Sequence, residues 1–164
     1  MSVAGLHLAL FEPEIPPNTG NIARTCAAVG AVLHLIGPLG FSLHDRYLKR
    51  AGLDYWPLVD LRLHEDLEAF MRDCAGLPLY CVTKKAGRAH TEPDYPDRAC
   101  FLLGKETVGL PEAVLDLNRE RCIRIPMRSG ARSLNLSNAA AIVIYEYLRQ
   151  KNYPGLELGD RSEA

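Results

Sequence analysis

A dense run of small polar residues between an apolar strand and an apolar helix is the first feature that could do chemistry. Residues 133–138 read Ser-Leu-Asn-Leu-Ser-Asn, after a predicted strand at 123–126 and before an apolar helix at 139–148. A strand-to-helix junction of this kind presents backbone N–H groups, hydroxyls and amides to a ligand. The run therefore predicts a binding loop with Ser133 and Asn135 as candidate contacts, although both residues could also be simple helix caps.

Two more polar groups could belong to the same site. Asn18 precedes a predicted helix at 20–29, and on that helix Asn21 and Arg24 are three residues apart and share a face. This spacing places an amide and a guanidinium together at the mouth of a pocket. Glu106 follows an apolar strand, where a carboxylate can serve a ligand or simply favour a helix N-terminus.

Several familiar catalytic motifs are absent from the sequence. It contains no G-x-G-x-x-G, no G-x-x-x-x-G-K-[ST] and no G-x-S-x-G, which disfavours a Rossmann dinucleotide site, a P-loop and a hydrolase nucleophile elbow. His7 and His34 lie within apolar strand runs and are predicted to be structural, whereas His44, His64 and His90 resemble loop or helix-start residues. None of the histidines shows metal-ligand spacing, so no metal is expected.

Composition narrows the class of protein further. The 164 residues fit one domain, predicted at 1–154 with a flexible acidic tail at 155–164. The formal net charge of −1 argues against a global basic field, but cations cluster at 46–50, 84–88 and 119–132, where a polyanion could bind.

The cysteines and the apolar runs indicate a cellular compartment. The five cysteines are odd in number and lack Cys-x-x-Cys spacing, which disfavours both disulfides and zinc. No secretory leader and no membrane-spanning run is recognisable, so a cytoplasmic protein without membrane contact is expected.

Strands and helices alternate along the chain, which predicts an α/β fold with a mostly parallel sheet and helices on both faces. Asn18 or Thr19 is expected to cap the first helix and Gly30 to end it. The strands are predicted at 6–11, 32–36, 58–63, 79–83, 99–103 and 123–126, and the helices at 20–29, 46–51, 64–74, 111–117 and 139–148. Ligands of open parallel sheets bind beyond the carboxyl ends of the strands. We therefore expect the loops 12–24, 104–111 and 127–138 to form one pocket.

Three segments together resemble the motifs of SPOUT-class RNA 2′-O-ribose methyltransferases. They are Asn-Thr-Gly-Asn-Ile-Ala-Arg at 18–24, Leu-Gly-Lys-Glu-Thr-Val-Gly-Leu-Pro at 103–111, and the segment 125–138 from Ile-Pro-Met to Ser-Leu-Asn-Leu-Ser-Asn. Within that class, Phe-Glu-Pro-Glu-Ile-Pro-Pro-Asn-Thr-Gly-Asn at 11–21 and Arg-Ala-Gly-Leu-Asp-Tyr at 50–55 look like the minimal tRNA (cytidine/uridine-34-2′-O)-methyltransferases, which have no extra RNA-binding domain.

The resemblance implies a fold, a cofactor and a partner chain. The C-terminal part of the sheet would be threaded as a trefoil knot, S-adenosylmethionine would bind in the knot, and the protein would be a homodimer with part of the helix 139–148 in its interface. The residues implied in cofactor binding are Val82, Thr83, Gly104, Glu106, Ile125 and Ser133.

The resemblance also implies a reaction at the wobble nucleotide of the tRNA anticodon stem-loop. Arg24 would accept the 2′-hydroxyl proton or organise its acceptor, with Asn18 and Asn135 holding neighbouring polar groups. A guanidinium is a poor base, so the alternative is that Arg24 clamps the phosphate while the phosphate or a water takes the proton. Asn21, Arg132 and Tyr145 are the implied substrate contacts.

Three other functions remain open from the sequence. The chain could methylate another tRNA or rRNA nucleotide, bind RNA without catalysis on the same fold, or act as an unrelated nucleotide-binding α/β protein. The intact motifs favour the methyltransferase.

Overall fold

The computed structural model describes residues 5–44, 46, 48, 50 and 55–159, and all structural statements concern these residues. Short 3₁₀ turns at Trp56–Leu58 and Arg119–Arg121 accompany the regular elements. The strands are β1 Leu6–Phe11, β2 Val32–Ile36, β3 Asp60–His64, β4 Leu79–Val82, β5 Ala99–Leu103 and β6 Cys122–Ile123, and the helices are α1 Pro16–Val29, α2 Leu67–Asp73, α3 Glu112–Leu117 and α4 Leu136–Gln150.

The six strands form one sheet in the order β3-β2-β1-β5-β4-β6. Every pairing between them is parallel. The central strands β1, β2 and β5 are buried along their whole length, as expected for strands covered on both faces. The predicted parallel α/β architecture is confirmed.

Each face of the sheet has its own apolar core. Leu8, Leu33 and Phe101 point to the face covered by α1 and α4, where they meet Ile22 and Val143. The other face carries residues such as Ala9 and Cys100 and is covered by Phe70 of α2 together with Val114 and Leu115 of α3. Helices therefore cover both faces, as predicted.

The start of α1 differs from the sequence prediction. The helix begins at Pro16, with Ile15 at its N-cap and no side-chain cap, because two prolines suit a first turn whose N–H groups have no intrahelical partner. Asn18 and Thr19 lie inside the helix rather than at its cap, and the Thr19 hydroxyl has no hydrogen-bond partner among the described residues. Gly30 ends the helix with φ 73°, as predicted.

Other boundaries shift by a few residues. His64 ends strand β3 and is buried, so its assignment to a helix start was wrong; α2 begins instead at Leu67, where Asp66 accepts a hydrogen bond from Ala69 N. Arg46, Leu48 and Arg50 are helical, whereas 51–54 lie outside the described residues.

The predicted domain division and the trefoil threading stay predictions. Among the described residues, no helix has both the length and the apolar character needed to cross a membrane.

Candidate active site at the carboxyl end of the sheet

The three loops predicted to share a pocket meet at the carboxyl end of the sheet. Glu106, which follows β5, accepts hydrogen bonds from the backbone N–H of Glu14 at 2.9 Å and of Ile15 at 3.1 Å. Its carboxylate also accepts one from Asn18 Nδ2 at 3.3 Å. A single carboxylate thus joins the loop after β5 to the start of α1.

Asn18 continues the connection to the third loop. Asn135 Nδ2 donates to Asn18 Oδ1 at 3.0 Å, while Asn135 Oδ1 accepts from Ser137 N at 2.9 Å and so caps α4. Asn135 therefore holds both a helix start and a contact to α1, so its capping and site roles coexist. We call Asn18, Glu106 and Asn135 the carboxylate–amide network.

Two acidic residues of the first loop were given no role by the sequence analysis. Glu14 accepts hydrogen bonds from the backbone N–H of Thr107 at 3.1 Å and from its hydroxyl. Glu12 pairs with Lys105 at 2.6 Å and raises the pKa of that ammonium. The only sequence signal was their place in the Glu-Pro-Glu segment before the prolines, which says nothing about their partners.

The three loops surround a cleft of about 450 Å³. Apolar groups from the strand ends form part of its wall, and polar groups from the loops line the remainder. All six residues predicted to bind the cofactor line this cleft, as do Asn18, Arg132 and Asn135; the six are Val82, Thr83, Gly104, Glu106, Ile125 and Ser133. The sequence prediction that one pocket would gather these residues is confirmed by the geometry, whereas their roles stay predictions.

Gly104 is required by close backbone packing at the floor of the cleft. A Cβ atom added there would lie 2.1 Å from the carbonyl carbon of Gly109 and 2.3 Å from the nitrogen of Leu110. Because both neighbours are backbone atoms, no side-chain movement could make room. The loop after β5 can therefore fold back against its own strand end only when this position has no side chain.

Three predicted substrate or catalytic residues lie outside the cleft wall. Arg24 and Asn21 are exposed on α1, and Arg24 Nη2 donates to Tyr55 OH at 3.4 Å with its guanidinium 4.7 Å from the ring centroid. Tyr145 is exposed on α4. Arg24 is six residues after Asn18 on the same helix, and its predicted role stays a prediction.

A second cavity of about 510 Å³ shares Thr83 and Lys85 with the cleft. Its lining includes Lys85, Arg88 and Arg119, which belong to two of the basic clusters recognised in the sequence. Lys85 also pairs with Glu112 at 2.5 Å. The same lining carries Glu112, Asp116 and Glu120, and Arg119 pairs with Asp116 at 2.8 Å, so the cations and carboxylates of this cavity balance.

The chain is similar to a family of RNA methylases and to named relatives within it. Residues 5–145 match the model of the SpoU rRNA Methylase family. The tRNA (cytidine(34)-2′-O)-methyltransferase of Escherichia coli K12 is 47% identical over 156 residues, which cover 94% of this chain and 99% of that protein.

Two solved structures share the architecture. One, from work on 2-OH methylation of C/U34 on tRNA, has a TM-score of 0.87 and 45% identity and covers 92% of this chain and 99% of its own. The SpoU methyltransferase AviRb of Streptomyces viridochromogenes, in complex with AdoMet, has a TM-score of 0.79 and 28% identity over 90% of this chain and 61% of its own.

Proposed function

Because the chain belongs to the SpoU methylase family, we propose that it transfers a methyl group from S-adenosylmethionine to the ribose 2′-hydroxyl of nucleotide 34 in tRNA. The observation that carries this function is the convergence of the three motif loops, through the carboxylate–amide network, on one cleft. The E. coli relative, named for cytidine 34, supports the choice of nucleotide.

The cleft fits the chemistry of the methyl donor. Its volume of about 450 Å³ lies within the range of small-molecule sites. Val82, Leu103 and Ile125 offer apolar walls for an adenine ring, and Thr83 and Ser133 offer hydroxyls for its polar atoms. When bound, S-adenosylmethionine supplies an electrophilic methyl group on a positively charged sulfur.

The protein's own contribution to catalysis is mainly positioning. Holding the reacting groups in line can lower the activation free energy by up to roughly 7–11 kcal/mol in well-oriented systems. With the donor bound in the cleft, the ribose 2′-hydroxyl would take its methyl group and would have to give up its proton to an acceptor. A guanidinium keeps its proton at physiological pH and is therefore a poor base. Arg24 therefore orients the ribose and its phosphate, and the phosphate or a water accepts the proton.

The substrate extends from the cleft over the basic surface. Lys85, Arg88 and Arg119 lie beside the cleft among Glu112, Asp116 and Glu120, and would exchange these carboxylates for the phosphates of an anticodon stem-loop. The protein's net charge is only −1, so these individual contacts rather than a global field hold the RNA. Binding should accordingly weaken as salt concentration rises.

A homodimer accounts for the exposed apolar residues of α4. Ile142 is 37% exposed and Tyr145 is 48% exposed, on a helix whose other side packs in the core through Val143 and Tyr147. A second copy covering this face would bury both side chains. Analytical ultracentrifugation should give a dimer mass, and Ile142→Glu should shift it towards the monomer.

Mass spectrometry of a defined tRNA tests the reaction. The purified protein, S-adenosylmethionine and an unmodified tRNA transcript should yield one added methyl on the ribose of nucleotide 34. The same transcript with a 2′-deoxy sugar at that nucleotide should gain none. Methylation at another nucleotide would favour a different RNA target, and the absence of any methylation would favour a non-catalytic RNA-binding protein.

A ligand screen tests the cofactor separately. S-adenosylhomocysteine should raise the thermal midpoint, because a ligand that binds only the folded state stabilises it. NAD and ATP should not. Stabilisation by either of these nucleotides alone would indicate an unrelated nucleotide-binding function.

A further inference from the structure

Three histidines from three adjacent strands form a continuous row on the sheet face that α2 covers. His7 of β1 contacts His34 of β2 through Nδ1 and Nε2, 2.9 Å apart. His34 Nδ1 lies 2.9 Å from Nε2 of His64 at the end of β3. All three are at least nine-tenths buried. We call these residues the histidine row; nothing in the proposed methyl transfer uses them.

The row ends on a carboxylate, and this determines which nitrogens carry protons. His64 Nδ1 lies 3.2 Å from Asp73 Oδ2, and because an ionised carboxylate only accepts, His64 Nδ1 donates. A neutral His64 then accepts at Nε2 from His34 Nδ1, and His34 Nε2 accepts from His7 Nδ1. Burial chiefly lowers the pKa of His34 to about 3, so this central ring is neutral at physiological pH.

The thiol of Cys74 lies beside the contact between His34 and His64. Its Sγ lies 3.8 Å from His34 Nδ1, and the ligand atoms of His34, His64 and Cys74 all lie within 4.8 Å of one another. Tetrahedral zinc with nitrogen ligands at about 2.0 Å and a thiolate at about 2.3 Å needs N···S separations near 3.6 Å and N···N separations near 3.3 Å. The two ring nitrogens now face each other at 2.9 Å, so both rings must rotate until His34 Nδ1 and His64 Nε2 point to a common position beside Cys74 Sγ.

We propose that His34 Nδ1, His64 Nε2 and the Cys74 thiolate bind Zn²⁺, with the fourth tetrahedral position left to water. Two imidazoles and a thiolate suit a borderline-soft divalent ion and disfavour the oxygen-seeking Mg²⁺ and Ca²⁺. Metal-ligand spacing in the sequence gave no sign of this site, because two of its ligands come from separate strands and the third from the end of α2.

The surroundings meet the other requirements of a metal site. Each ligating imidazole is held through its second nitrogen, His64 by Asp73 and His34 by His7, as is usual around bound metals. The Cys74 thiolate and the Asp73 carboxylate together neutralise the ion's formal charge. Cys74 also lines a cavity of about 110 Å³, so the sulfur ligand is reached from outside the row.

Binding has a defined proton balance. The His34 proton moves from Nδ1 to Nε2, where it is donated to His7 Nδ1, and the His7 proton moves to its own Nε2. Neither ring changes charge. The Cys74 thiol loses its proton to solvent, so one proton should be released for each Zn²⁺ bound. Calorimetry in buffers with different ionisation enthalpies measures this number.

Cobalt substitution reports the sulfur ligand directly. The full-length protein, free of any polyhistidine tag, is titrated with CoCl₂, and a thiolate-to-cobalt absorption in the near ultraviolet with tetrahedral visible bands is expected. Added Zn²⁺ should abolish both. Cys74→Ser should remove the near-ultraviolet band and weaken Zn²⁺ binding by at least about 100-fold. Mutation of a residue that only hydrogen-bonds a ligand, as Asp73 does, already lowers metal affinity by roughly 10- to 100-fold.

The matched control is Cys122→Ser, which changes a half-buried cysteine outside the cluster and should retain the wild-type spectrum. Circular dichroism confirms that both variants are folded, and methyl transfer by Cys74→Ser should equal that of wild type. Absence of the near-ultraviolet band in wild type, its survival in Cys74→Ser, or its loss in both variants would overturn the proposal.

Discussion

The carboxylate–amide network and the histidine row are both polar, yet they are built in opposite ways. The network joins three loops at the edge of the sheet, and its members border an open cleft. The row joins three strands beneath α2, and its three rings are buried. Loop atoms at the carboxyl end of the sheet can exchange their partners for a ligand, whereas the rings of the row contact one another and Asp73.

This difference predicts separate consequences for mutation. Changes around the cleft should alter methyl transfer, with stability affected only where the backbone is crowded. Changes in or beside the histidine row should alter stability or metal affinity and leave methyl transfer intact. Four tests follow, in order of decreasing expected effect.

Arg24→Ala should have the largest effect on activity. Removing a group that orients the reacting hydroxyl should lower methyl transfer by about 10²-fold or more, while the affinity for S-adenosylhomocysteine stays within a few-fold because Arg24 lies outside the cleft wall. A methylation assay and calorimetry measure the two quantities. The control is Arg72→Ala, an exposed arginine of α2. Near-normal activity of Arg24→Ala would remove this residue from the mechanism.

Gly104→Ala should combine lost stability with lost cofactor binding. A methyl group forced to within 2.1 Å of the Gly109 backbone should cost about 3 kcal/mol, at the upper end of overpacking penalties. That corresponds to a fall of roughly 6–12 °C in the thermal midpoint. Gly87→Ala is the matched control, because no atom of the described residues lies within 4 Å of its added Cβ. Equal midpoints for both variants would contradict the close packing at the cleft floor.

Acid should weaken the fold through the histidine row. The pKa of His34 is about 3 in the folded protein, lowered chiefly by burial and then by His7 and His64, against an ordinary value of 6.5. The unfolded chain therefore binds the extra proton, and the stability from this group is complete above pH 6.5 and declines as the pH falls towards 3. Between pH 7 and pH 5 the free energy of unfolding should drop by about 2 kcal/mol.

Urea unfolding with EDTA present, which excludes any metal contribution, gives this free energy at both pH values. His44→Ala, which changes an exposed histidine, should show the same drop as wild type. A free energy of unfolding that is equal at pH 7 and pH 5 would mean that the row takes up protons without unfolding.

Asp73→Asn should have the smallest effect on stability in EDTA. The carboxylate is 55% exposed, and pairs of that kind contribute less than about 1 kcal/mol. An asparagine oxygen can also still accept from His64. A loss well above 1 kcal/mol by urea unfolding would show that the carboxylate anchors the whole row.

The cleft was predictable from the sequence because its residues sit in motifs with a fixed order. Parallel strands bring their carboxyl ends to one edge, so Gly104 and Ser133 had to lie near each other once the strands were recognised. The pairing of Glu14 with Thr107 and of Glu12 with Lys105 could not be predicted, since it depends on how two loops fold towards each other.

The histidine row and the start of α1 escaped prediction for different reasons. His7, His34 and His64 become neighbours only through the strand order and the register between strands, which no local pattern encodes. Asn18 is a good cap residue by type, but Pro16 and Pro17 start the helix earlier and place Asn18 inside it, where its side chain serves the cleft.

A crystal structure with S-adenosylhomocysteine tests the central assignment most directly. The ligand is expected in the cleft between Gly104 and Ser133, beside the carboxylate–amide network, with Arg24 facing the open side towards the sulfur. Density in the neighbouring cavity lined by Lys85 and Arg119, with the cleft left free of ligand, would contradict the assignment of these loops to the methyl donor.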